Sequence, residues 1–226
     1  MKKWIRDHGL SLVAFALFLL SFTGQVLTGH AEYNDDQRAH GEAPVSLAAY
    51  FRTGHFGEAT FENWESEFLQ MGVFVFLTAF LVQRGSAESR KPDDDPMAGK
   101  EPGDEEPRLH RGDPRAPWPV RRGGMALALY RNSLSIALFS LFLLTFAGHA
   151  AAGTAEYNAE QRAHGEETVS TAAFLTSPRF WFESFQNWQS EFLSVLALTL
   201  LSIWLRQQGS PESKPVHAPH EQTGAE

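Results

Sequence analysis

The sequence predicts an all-α membrane protein: a four-transmembrane-helix bundle made of two tandem, parallel two-helix repeats with helical outer loops. Three observations predict it. Although the mean hydropathy is slightly negative, the apolar residues gather into four blocks, 10–28, 64–83, 133–152 and 188–205. Each block has about the 20 residues that a helix needs to cross a ~30 Å hydrocarbon layer, and none contains Lys, Arg or Asp. The second half also repeats the first at a spacing of 124 residues without a gap. Finally, eleven of the 19 Lys and Arg residues flank one side of the blocks: Lys2, Lys3, Arg6, Arg84, Arg90, Lys91, Arg121, Arg122, Arg131, Arg206 and Lys214. The positive-inside rule then puts both termini and the central linker in the cytoplasm and the two acidic loops outside.

The first repeat, residues 1–84, opens with a block that follows Lys2, Lys3 and Arg6 as a signal peptide would. Its apolar run is longer than a signal h-region, and the block at Ser133 is its mid-chain counterpart, so it reads as retained. The loop from Gly29 to Asn63 is too long to lack structure. Ala31–His40 and Ser46–Arg52 read as short helices lying over the bundle. Residues 85–124 hold seven of the twelve prolines and a dense mixture of charges, the composition of a flexible cytoplasmic linker. In the second repeat, 125–208, Ser177 and Pro178 form a helix start, and no breaker follows until Gly209. Trp181, Phe185, Trp188 and Phe192 then share one face of that helix, as an interfacial aromatic belt would. The tail 209–226 reads as disordered.

The residues kept alike in both halves locate the candidate chemistry. Ala-Glu-Tyr-Asn-x-x-Gln-Arg-Ala-His-Gly-Glu occurs at 31–42 and again at 155–166. Tyr33, Arg38, His40, Glu42 and Tyr157, Arg162, His164, Glu166 make it a candidate outer-lid motif. His40 with Glu42, and His164 with Glu166, offer nitrogen and oxygen donors for a divalent metal, but the spacing is not a zinc pattern. The plainer reading is a hydrogen-bonded lid whose helix ends at Gly41. Asn-Trp-x-Ser-Glu-Phe-Leu recurs at 63 and 187, putting Asn63 with Glu67, and Asn187 with Glu191, on one helix face each at the outer membrane edge. The plainer reading has the carboxylates reach outer water or cap neighbouring helix backbone. A carboxylate at membrane depth is costly unless paired, which makes this set a candidate for ion binding or helix pairing. His149, where the first half has Gln25, reads as a hydrogen-bonding residue between helices.

Without cysteine there is no disulfide, zinc-thiolate site or thiol nucleophile. No phosphate-binding glycine loop, GxSxG elbow or dinucleotide fingerprint is present. The reading is therefore a protein that is more a non-enzymatic envelope or interaction component than an enzyme, with no catalytic residue, no cofactor and no nucleic-acid partner. The lipid bilayer and an envelope or protein partner at the acidic outer loops are its expected contacts, and oligomerisation fits. The alternative is a small proton or cation transporter working through Glu67 and Glu191. The quoted motifs, with the exit Gln-x-Gly-Ser-x-Glu-Ser-Lys, resemble an uncharacterised family of small bacterial integral membrane proteins, a domain of unknown function. That resemblance implies a bacterial inner-membrane location and carries no activity.

Overall fold

The computed structural model describes residues 2–93 and 106–224, so residues 94–105 of the expected linker lie outside the described residues. All regular structure among the described residues is helical: α1 (Lys2–Asp7), α2 (Gly9–Ala39), α3 (Leu47–Tyr50), α4 (Gly54–Thr78), a 3-10 turn (Pro107–His110), α5 (Trp118–Arg122), α6 (Gly124–Tyr130), α7 (Ser133–Ala163), α8 (Thr171–Phe174) and α9 (Pro178–Trp204).

The motifs at 31–42 and 155–166 are not separate helices. Each continues the apolar helix before it, so α2 and α7 are both 31 residues long. Between Thr28 and Ala31 the one weak helix former is Gly29, which costs about 1 kcal/mol in a helix and does not stop it. Both helices are long and apolar enough to cross a membrane. The first halves of α4 and α9 carry Glu62, Glu65, Glu67, Glu183, Asn187 and Glu191, which dilutes their apolar character. Helix α9 stops at Trp204, short of the expected Gly209. There Arg206 Nη1 donates to the carbonyl oxygens of Ser202, Ile203 and Leu205 at 2.9–3.3 Å, supplying partners that the last turn of a helix lacks.

The described chain forms two compact units, each drawing on both halves of the sequence: Met1–Phe61 with Gly148–Ser177, and Glu62–Ala147 with Pro178–Glu226. In the first unit, α3 and α8 start alike, with Ser46 and Ser170 accepting hydrogen bonds from Ala49 and Ala173 N–H. Tyr50 and Phe174, at matching places in these two turns, are 2% and 1% exposed and form the core. Tyr33, Tyr50 and His55 cluster with ring centroids 5.5–5.8 Å apart, and Tyr157 packs on Phe174 at 5.7 Å. Gly54 and Gly57 let α4 lie on α7: a Cβ on Gly57 would come within 2.8 Å of the Ala152 Cβ, and one on Gly54 would collide with the Glu156 backbone.

In the second unit the aromatic stripe expected on α9 is present. Trp181, Phe185 and Trp188 contact one another at 5.5–6.2 Å. Phe146 packs edge-on to Phe180 at 5.2 Å, and Phe142 to Trp188 at 6.2 Å. Within the stretch whose composition suggests a flexible linker, the described part from Glu106 onward carries the 3-10 turn and α5. The Arg122 guanidinium lies 5.0 Å over the Trp118 ring, and Val120 and Leu127 are buried. In the described tail the Lys214 ammonium is buried among backbone carbonyls of the same unit.

Candidate functional site

The doubled motif builds two identical helix ends. Gly41 and Gly165 have φ of +77° and +73°, a left-handed conformation that favours glycine. Gly41 N–H donates to the Arg38 carbonyl at 3.1 Å and Glu42 N–H to the Gln37 carbonyl at 2.8 Å. The bonds at Gly165 and Glu166 match these in partner and length. This is the Schellman pattern of helix termination. A side-chain clasp closes each end: Gln37 donates to Glu42 at 2.8 Å and Gln161 to Glu166 at 2.9 Å.

The motif's Asn has a separate task. Asn34 Oδ1 accepts from Val45 N–H at 2.7 Å while its Nδ2 donates to the Val45 carbonyl at 3.1 Å. Asn158 makes the same two bonds to Val169, at 2.7 and 2.9 Å. Each amide thus ties down the chain eleven residues on, as a paired strand would. Arg38 pairs with Asp35 at 2.6 Å. The bonds that tie each loop run through Asn34 and Asn158, while Arg38 pairs within its own helix.

The two ends face each other across a cleft of about 350 Å³, lined by Tyr33, Asp36, Gln37, His40 and Glu42 from one motif and by Glu156, Glu160, Arg162 and His164 from the other. The His40 and His164 rings meet edge-on with centroids 6.4 Å apart. His40 Nδ1 lies 3.0 Å from the Asp36 carbonyl oxygen and His164 Nδ1 lies 2.8 Å from that of Glu160. A carbonyl only accepts, so Nδ1 carries the proton and Nε2 keeps its lone pair in the neutral ring. Burial, then the charges of Glu156, Glu42 and Asp36, raise the Tyr33 phenol above its ordinary pKa and keep it a neutral donor. Four carboxylates against one guanidinium make the cleft acidic. His40, Glu42, His164 and Glu166 do not, among the described residues, provide three donors close enough to share an ion.

Of the deeper candidates, Glu67 and Asn63 are exposed, while Asn187 and Glu191 are half-buried. Glu67 and Glu191 are near enough to interact electrostatically. The fully buried carboxylate is instead Glu65, 0% exposed, whose Oε1 accepts from Trp188 Nε1 at 2.9 Å. Its neighbour Glu62 accepts from the Asn187 amide. Sequence reasoning passed over both because their counterparts 124 residues on are Gln189 and Gln186, so likeness between halves gave no signal. Another such residue is Glu58, against Gly153. One of its carboxylate oxygens lies within 4.8 Å of a ring nitrogen of His149, which is 0% exposed.

An all-helical architecture with two helices of membrane-crossing length, and an acidic cleft between two matching helix caps, defines the class of protein. The chain belongs to the family described as a domain of unknown function, DUF6766, whose profile matches residues 1–225. Comparison with curated proteins and with solved structures returned no match.

Proposed function

We propose that this chain is a multi-pass protein of a bacterial inner membrane, with four spans and cytoplasmic termini, and that its outer cleft docks a cationic segment of an envelope partner. The role is non-enzymatic. Membrane residence draws support from α2, whose apolar side chains find little cover within the protein: Leu10 is 87% and Leu20 71% exposed. A surface of that kind needs lipid or a partner over it.

The cleft is the observation that carries the partner role. Asp36, Glu42, Glu156 and Glu160 converge there, and a carboxylate accepts a charge-assisted hydrogen bond from an ammonium or guanidinium group. Binding is checked by calorimetry on protein in nanodiscs, with a Lys- and Arg-containing peptide and a Glu-substituted control. The expected result is binding of the basic peptide alone, weakened about tenfold by Asp36→Asn and again by Glu160→Gln, about 1.4 kcal/mol each. Equal binding of both peptides, or none, would sink the reading.

The proximity of Glu67 and Glu191 favours a second reading, carriage of protons or cations. In proteoliposomes, flux that Glu67→Gln with Glu191→Gln abolishes would replace the first reading with this one.

A further inference from the structure

The residues leading into α7 carry charge of one sign. From 106 to 131 six arginines stand against two carboxylates, Glu106 and Asp113, and all six are exposed. Pro117 and Pro119 open α5, where a missing N–H costs no helical hydrogen bond. Gly123 and Gly124, at φ of +70° and +58°, turn the chain from α5 into α6. The Arg111 guanidinium fills the space that a Cβ on Gly123 would need, which sets the end of the 3-10 turn against that corner.

Packing takes up one face of each short helix. Val120 of α5 and Leu127 of α6 are buried, but the apolar residues around them are not. Leu109 and Met125 are each 79% exposed, and Trp118 and Leu129 are more than half exposed. Trp118, Leu129, Tyr130 and Ile136 line an open groove of about 570 Å³ at the start of α7. The Arg122 guanidinium, four residues along α5 from Trp118, lies 5.0 Å over that indole ring. A positive charge therefore stands at the rim of an apolar hollow.

That pairing selects a ligand with two ends. A guanidinium takes phosphate oxygens through two parallel N–H donors, and an apolar groove takes hydrocarbon. A nucleic acid would engage the arginines and leave the groove wet, whereas an uncharged apolar partner would leave the arginines unused. We propose that residues 107–131 form a docking surface for an anionic phospholipid. Its phosphate is held by Arg121, Arg122 and Arg131, and its acyl chain enters the groove beside Trp118.

The surface suits the place that the membrane reading gives it. Tryptophan and tyrosine settle at the level of lipid headgroups, and clustered arginines beside a span are drawn to an anionic leaflet. The proposal rests on the membrane residence proposed above and adds to it the class of lipid that the chain prefers. It does not depend on the outer cleft.

The test is a lipid titration of the full chain in a nonionic detergent. The sequence holds no cysteine, so Met125→Cys takes a single polarity-sensitive maleimide dye beside the groove. Dioleoyl phosphatidylglycerol is added in mixed micelles, with dioleoyl phosphatidylcholine as the zwitterionic control. The expected result is a saturable blue shift with phosphatidylglycerol, about tenfold or more tighter than with phosphatidylcholine and weakened by salt. Arg121→Gln with Arg122→Gln should weaken it by about 25-fold, or about fivefold for each arginine. Arg131→Gln alone, at about fivefold, covers the case in which the double variant misfolds. Equal affinity for the two lipids, or full affinity in these variants, overturns the proposal. So does an equal shift with an oligonucleotide, which would mean attraction to any polyanion. A shift that follows protein concentration alone also overturns it, by putting a second copy in the groove. Vesicle flotation separates this surface from the reading beneath it. A chain that floats with no vesicle overturns membrane residence and the surface together, whereas one that floats but shows no lipid preference in the titration overturns the surface alone.

Discussion

Asn158 holds Val169 through both its N–H and its C=O. Replacement by Ala strands two backbone groups at once. The expected cost is about 1–3 kcal/mol, read as a lower thermal midpoint in detergent, with Asn158→Asp in between because it keeps the acceptor. Asn34→Ala should act similarly on the first half, where the His30 ring lies 2.8 Å from the same Val45 carbonyl and softens the loss. An Asn158→Ala protein as stable as the native chain would mean that the clamp does not hold the lid. The motif that contains these residues was visible in the sequence because both halves keep it, and Gly41 as a helix end followed from residue type alone. The division of labour was not visible. Nothing in the spacing says that Asn ties the loop, that Gln clasps Glu, or that the two histidines face each other, since those contacts join residues that only the folded chain brings together.

At the scale of elements, α4 sits on α7 through glycine. Gly54→Val should destabilise by about 3 kcal/mol or more, because its side chain would meet the Glu156 backbone, which cannot yield as a side chain can. Gly9→Val, at a helix start with open space around it, serves as the tolerated control. Equal midpoints for the two variants would show that the helices do not approach as closely as described. Legibility differs here as well. The apolar blocks, the Ser177-Pro178 start of α9 and its aromatic stripe were all readable, each being a local pattern. The fusion of span and motif into one 31-residue helix was not, because a single glycine in a helical run reads equally well as a break. The contacts of the tail escaped notice for a related reason. Its composition is polar, and its buried contact is one lysine finding three carbonyls.

For the whole molecule, orientation is the property on which the proposed role depends. The chain has no cysteine, so single-cysteine variants report it directly. Glu42→Cys should react with a membrane-impermeant maleimide on cells whose outer membrane alone is permeabilised. Val216→Cys, at a position 62% exposed in the tail, should react only once the inner membrane is opened as well. The reverse pattern would turn the acidic cleft toward the cytoplasm and remove the envelope partner from consideration.

The asparagine clamps also bear on how such a chain comes to be folded. Each spans eleven residues, and the cap it serves lies wholly within one half of the sequence. Closing a loop that short costs little chain entropy, and local contacts form early. Each cap can therefore be complete as soon as its own residues have left the ribosome, before the following helix has settled. The cleft between the caps is then assembled from two finished parts, and a defect in one clamp would delay its own half without touching the other.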